Sequence, residues 1–127
     1  MTYSPRPKRT EAGEQAERAA ERFLQARGLR TRQRNYRCKA GEIDLVMSEA
    51  DTLVFVEVRL RRSTRFASAA ETVDYRKQQK LIRAAQHYLQ RTGLTDRVAC
   101  RFDVVAFDPK RVDQETVNWV QNAFSTL

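Results

Sequence analysis

Asp44 and Glu57 are the two side chains on which a chemical reading of this sequence turns. They stand in Gly41-Glu42-Ile43-Asp44-Leu45-Val46-Met47 and in Leu53-Val54-Phe55-Val56-Glu57-Val58-Arg59-Leu60, apolar runs separated by the short polar stretch Ser48 to Thr52. Two such runs around a turn signal predict a β-hairpin. A tight turn centred on Ala50-Asp51 opposes Ile43 to Val58, Leu45 to Val56 and Met47 to Val54, which makes one face of the hairpin apolar. The same register sets Asp44 against Glu57 and Glu42 against Arg59. A slip of one residue would carry charge into the apolar face, so the pattern supports its own register.

Opposed side chains on antiparallel strands have Cβ atoms about 4.5–5.5 Å apart, and like charges there repel. Full solvation, a shared proton or an intervening cation relieves the repulsion. Mg²⁺, or Mn²⁺ in its place, takes oxygen ligands and completes its shell with water and phosphate oxygens. Such a centre suits phosphodiester hydrolysis, because the metal acidifies a bound water and neutralises charge on the phosphate. The other reading is a solvated face on which Arg59 balances Glu42. The pattern alone leaves both open.

The elements that must position the pair are legible on either side. Ala12, Ala16, Ala19, Ala20, Phe23 and Leu24 recur at helical spacing, and Gly28 closes that helix with Arg22 and Arg27 near its end. Residues 29–37 read as a polar strand with Arg30, Arg32 and Arg34 on one face. After a basic loop, Arg61 to Thr72, a second helix runs from about Asp74 to Arg91, with Leu81, Ala85, Tyr88 and Leu89 as its core stripe and Gly93 as its stop. Cys100 to Phe107 is a near-continuous apolar run suited to a strand buried on both sides, and Val117 to Phe124 adds a last strand or short helix. The expected fold class is α/β: a basic arm over 1–10, then a single domain over 11–127.

Charge narrows the partner. The 127-residue chain carries a net +8, with 24 Lys and Arg against 16 Asp and Glu, which points to a polyanion such as nucleic acid or an anionic membrane surface. No apolar run is long enough to span a bilayer, and the charged start lacks the hydrophobic segment of a secretory signal. Cys38 and Cys100 lack C-x-x-C spacing, so reduced thiols in a cytoplasmic protein are expected. Arg76, Lys80, Arg83 and His87 follow at i, i+4, i+7 and i+11 as one helical stripe, with Lys77 beside it, while Arg61, Arg62 and Arg65 share a loop with Ser63 and Thr64. Together these suit phosphate contacts, which position nucleic acid without reading its sequence. Tyr36, Phe66 and Tyr75 have the rings to stack on bases, but burial is the expected fate of each.

Gly41-Glu42-Ile43-Asp44-Leu45, Phe55-Val56-Glu57-Val58-Arg59 and Arg101-Phe102-Asp103-Val104-Val105, with Lys77-Gln78-Gln79-Lys80-Leu81 and Asn122-Ala123-Phe124, resemble the YraN family of bacterial proteins from Glu17 onward. The resemblance implies a restriction-endonuclease-like fold, a central mixed sheet flanked by helices as in PD-(D/E)XK nucleases and Holliday-junction resolvases. It places Asp44 at the motif aspartate and Glu57 at the acidic member of the E-x-K element, with Glu17 supporting a metal. It further implies a nucleic-acid partner, DNA ahead of RNA, and a homodimer for which no stretch of sequence marks the interface. One position departs from the motif: Arg59 stands where the nucleases have lysine. Arginine stays protonated and cannot act as a base, but its planar fork suits a phosphate.

Overall fold

The computed structural model describes residues 10–61 and 73–125, in the order α1 (Glu11–Gln25), β1 (Arg30–Cys38), β2 (Gly41–Glu49), β3 (Thr52–Leu60), α2 (Tyr75–Thr92), β4 (Ala99–Phe107) and β5 (Asn118–Phe124). The expected basic arm, apart from Thr10, therefore lies outside the described residues, as do Arg62, Arg65 and Phe66 of the basic loop. Val117 to Phe124, open between strand and helix from sequence, is resolved as β5.

Both helices begin and end as their sequences dictate. Thr10 Oγ1 accepts from the Gly13 N–H at 2.9 Å, and Asp74 Oδ1 from the Lys77 N–H at 2.8 Å, each satisfying a donor that the first turn leaves over. At the far ends Gly28 (φ 97°) and Gly93 (φ 74°) adopt the left-handed conformation. There Leu29 N–H reaches back to Leu24 O at 3.1 Å and Leu94 N–H to Leu89 O at 2.8 Å.

The strands form one five-stranded sheet in sequence order, antiparallel except for the parallel β3–β4 pair. Parallel neighbours need a crossover, and α2 supplies it. The helices cover opposite faces. Ala16, Ala20, Phe23 and Leu24 of α1 pack with Leu45, Met47, Val54, Val56 and Val105, whereas Leu81, Ala84, Ala85 and Tyr88 of α2 pack with Ile43, Val46, Phe55, Phe102 and Val104. This mixed sheet flanked by helices matches the expected class and is compatible with a restriction-endonuclease-like fold. Two-sided burial of β4 follows directly, with Val104 and Val105 both at 0% exposure on opposite faces.

Two expectations about the strands need correction. Arg30, Arg32 and Arg34 do not share a face. The β1–β2 register shifts between Thr31 and Gln33, so an extra residue is inserted and the alternation is reversed across it. Arg34 consequently turns toward α1, where its Nη2 lies 2.8 Å from Glu21 Oε2.

The hairpin register is as expected at the turn, with Leu45 opposite Val56 and Met47 opposite Val54, but the ladder ends there. Ile43 does not face Val58. Ile43 packs beneath α2, while Val58 packs on the α1 side. Nor is the second face of the hairpin solvated, because Val46, Leu53 and Phe55 are buried against α2. Next door in β1, Asn35 (φ 51°) interrupts the pleat between the Arg34–Leu45 and Tyr36–Ile43 pairs.

Candidate functional site: a carboxylate pair at the parting of two strands

Asp44 sits at that interruption. Its Oδ2 accepts from the Val58 N–H at 2.8 Å, so a side chain takes up a donor that the departing ladder leaves over. Glu57, one residue before Val58, is 5% exposed. The two carboxyl groups meet, and a hydrogen bond between them contributes to Glu57's protonation behaviour. Burial lifts the Asp44 carboxyl well above its usual range; the charge of Glu57 pushes the same way, with smaller pushes from Glu17 and Glu42. Burial also raises Glu57, while Lys77 and Arg59 draw it back. A solvated face is thereby excluded. The pair is two acids in low dielectric, each raised above its ordinary carboxylate range.

Cations line one side. Arg59 Nη1 lies 3.5 Å and Lys77 Nζ 3.8 Å from the same oxygen, Glu57 Oε2. Arg59 comes from β3 itself, two residues on and on the same side of the strand. Lys77 comes from the first turn of α2. A crossover helix between parallel strands starts near the C-terminal end of the first strand, which is where Glu57 stands.

On the α1 side, Asp44 opens onto a pocket of about 440 Å³ bordered by Glu14, Glu17, Arg18, Glu21 and Arg34. Glu17 Oε1 accepts from Asn35 Nδ2 at 3.0 Å, which ties α1 to the kink in β1. Glu21, 6% exposed, is held by Arg34 and by Thr31 Oγ1 at 2.6 Å. These contacts orient α1 over the kink.

The donor set can be tested against a divalent cation. Among the described residues, no group of three His, Cys, Asp or Glu side chains converges to enclose an ion. Two carboxylates do meet, and two is a usual protein contribution to Mg²⁺ when water and phosphate oxygens fill the remaining positions. Their mutual repulsion in a buried setting is the kind that such an ion relieves, so Asp44 and Glu57 fit the group. Glu17 lends its charge to Asp44 from the pocket wall.

The other residues expected to contact nucleic acid divide by position. Arg76, Lys80 and Arg83 are exposed along α2, and Lys77 is partly buried at Glu57. Arg61 is buried at the end of β3, its backbone N–H donating to Phe107 O at 3.0 Å. Tyr36 is buried as expected, but Tyr75 is 74% exposed at the start of α2, contrary to expectation. A position just past the Asp74 cap turns its ring outward, and the amphipathic stripe of α2 does not begin until Leu81. Lys77 was expected from sequence only as a nucleic-acid contact, not beside Glu57, and Asn35 at the kink is the position that sequence reasoning passed over. The β–helix–β order was the available signal for Lys77; no pattern in the sequence marks Asn35.

Comparisons with known proteins agree on the family. Residues 16–107 match the model described as uncharacterised protein family UPF0102. A UPF0102 protein of Nitrosococcus oceani is 52% identical over 112 residues, covering 88% of this chain and 90% of the relative. Another, from Pseudomonas fluorescens, is 50% identical over 116 residues, with 91% and 94% covered. A third, from Pseudomonas syringae pv. tomato, is 48% identical over 126 residues, with 96% and 98% covered. The matched span runs from α1 through β4 and so contains Glu17, Asp44, Glu57, Arg59 and Lys77. The chain belongs to the UPF0102 family.

Proposed function

We propose that this protein is a Mg²⁺-dependent nuclease that hydrolyses phosphodiester bonds in structured DNA, working in the cytoplasm. The observation that carries the reading is the meeting of half-buried Asp44 with buried Glu57, with Arg59 and Lys77 at the edge of the pair. Asp44 and Glu57 would hold the cation, with Glu17 supporting them through its charge. The cation, when bound, supplies an acidified water and neutralises charge on the phosphate. Arg59 keeps its proton and offers a planar fork to a phosphate, so its part is to bind and orient the substrate. Lys77 places a second fixed positive charge on the same edge of the pair.

The positive balance of the chain supports a polyanionic substrate, and the exposed Arg76, Lys80 and Arg83 supply sequence-independent phosphate contacts. No helix among the described residues is long and apolar enough to cross a membrane.

The test incubates pure protein with labelled duplex, single-stranded and four-way-junction DNA, with Mg²⁺ or Mn²⁺. Cleavage is expected to vanish in Asp44→Asn and Glu57→Gln while binding persists, and Arg59→Lys is expected to raise it. A second reading, a binding module of the same fold without turnover, is favoured by one observation: Arg59 and Lys77 already draw on the Glu57 charge. Binding that ignores chelator, with no cleavage of any substrate, would select it.

A further inference from the structure

A second feature of the molecule lies farther along α2. The turn joining β1 to β2 and the middle of α2 enclose a groove of about 630 Å³. Arg37 and Lys39 approach from the turn, and Arg83, Gln86, His87 and Gln90 from the helix; among the described residues no carboxylate lines the groove. Nothing in the chemistry of the Asp44–Glu57 pair requires it. The wall carries three cations, an imidazole and two amides, side chains that can donate hydrogen bonds, beside Cys38 and Ala40.

The groove is built. Tyr36, 2% exposed, packs its ring edge-on to Tyr88 with centroids 5.1 Å apart, and its hydroxyl hydrogen-bonds His87 Nδ1. A buried hydroxyl thus holds an exposed ring in the groove wall.

Position follows from helix geometry. Gly41, which closes the turn, lies against Lys80, where an added Cβ would stand 3.7 Å from the lysine Cβ. The turn therefore meets α2 between Lys77, at Glu57, and the groove. With about 1.5 Å of rise per residue, Arg83 stands about 9 Å beyond Lys77 and Gln90 about 20 Å beyond it. A nucleic-acid strand advances about 3.4 Å per nucleotide along a duplex axis, so that span covers roughly three to six nucleotides.

We propose that this groove seats the sugar-phosphate backbone of the nucleic acid roughly three to six nucleotides to one side of the Asp44–Glu57 pair. The inference rests on the nucleic-acid reading above and adds a direction to it: the strand runs from the pair over Lys80 and along α2. The substrate then needs several nucleotides on that flank.

The experiment measures fluorescence anisotropy of labelled duplex and four-way-junction DNA in chelator, across a salt series, so that turnover plays no part. The triple variant Arg37→Gln, Lys39→Gln, Arg83→Gln is compared with wild type and with Arg32→Gln, Arg97→Gln, whose positions border a pocket beside the β2–β3 turn. Each phosphate contact removed lowers the slope of log affinity against log salt by about 0.9 on duplex. The triple variant is expected to lose about 2 to 3 in slope, and the Arg32/Arg97 variant close to nothing. An unchanged slope in the triple variant, or an equal fall in the Arg32/Arg97 variant, overturns the groove and leaves the nucleic-acid reading standing. Wild type that binds no nucleic acid overturns both. Should the triple variant lose its cooperative thermal transition, Lys39→Gln and Arg83→Gln, both at exposed positions, are read singly for a fall of about 1 each.

Discussion

Two regions of this sheet bury carboxylates, and they do so in opposite ways. Asp103 on β4 is 0% exposed and completely partnered. Arg101 forks onto both its oxygens, Nε to Oδ1 at 3.0 Å and Nη2 to Oδ2 at 3.3 Å. Trp119 Nε1 donates to Oδ2 at 3.0 Å and the Asn122 backbone N–H to Oδ1 at 2.9 Å. The β4–β5 register shifts around Asp103, so its carboxylate also takes up a donor freed by the irregularity in the ladder.

Asp44 occupies a similar interruption between β2 and β3, yet its company is acidic. It accepts one backbone N–H and otherwise meets Glu57, with Glu17 and Glu42 nearby. The difference separates structure from chemistry. A buried charge with a full set of donors holds strands together, whereas a buried like-charge pair costs stability and persists where a ligand or proton is to be received.

That contrast can be broken by experiment. The largest expected effect is at Asp103. Removing it by Asp103→Ala leaves Arg101 without its bidentate partner and Trp119 without an acceptor, and should cost about 3–5 kcal/mol in urea-induced unfolding. A loss under about 1 kcal/mol would mean that Asp103 is no structural hub. Asp44→Asn should act with the opposite sign. The amide oxygen still accepts from Val58, the repulsion with Glu57 disappears, and about 1–2 kcal/mol of stability is gained at neutral pH. Mg²⁺ should raise the Tm of wild type but not of this variant, because an ion bound only by the native state stabilises by mass action. A destabilised Asp44→Asn would make Asp44 a second Asp103.

The pH dependence sharpens the same point. Both carboxyl groups of the pair are raised, so above about pH 4 the folded protein holds protons that the unfolded chain has released. Stability should therefore fall as pH rises from about 4 through the raised values, and the penalty should be absent below that window, where both states are protonated. Asp44→Asn should flatten this slope, as measured by thermal unfolding from pH 4 to 8; an equal slope would place the titration elsewhere. The smallest effect is expected at Glu17→Gln, which keeps an acceptor for Asn35 and should change stability by under about 0.5 kcal/mol while weakening the Mg²⁺ response.

Much of this molecule is written locally. Helix stops at Gly28 and Gly93 need only a left-handed residue, the Asp74 cap needs only a short acceptor, and the hairpin turn at Ala50-Asp51 follows from two flanking apolar runs. Alternation in those runs was enough to identify Asp44 and Glu57 as the chemically interesting residues. It was not enough to describe how they meet. Strict alternation predicts an Ile43–Val58 pair on a common face, and it has no way to represent a left-handed Asn35 in the adjoining strand. The bulge after Thr31 defeats the expected arginine face for the same reason: a period of two counts residues, and one inserted residue inverts every later one.

Sequence by itself determined the type of every element but the last, the helix stops, the net charge, the turn register and the identity of the two acids, because each depends on residues close together in the chain. Tertiary structure alone decided that both faces of the hairpin are covered, that a half-buried Asp44 meets a buried Glu57, that Lys77 reaches Glu57, and that the β1–β2 turn and α2 enclose a basic groove. Those outcomes come from a crossover helix and two irregular strands bringing distant residues together, and no local periodicity encodes a distance across a sheet.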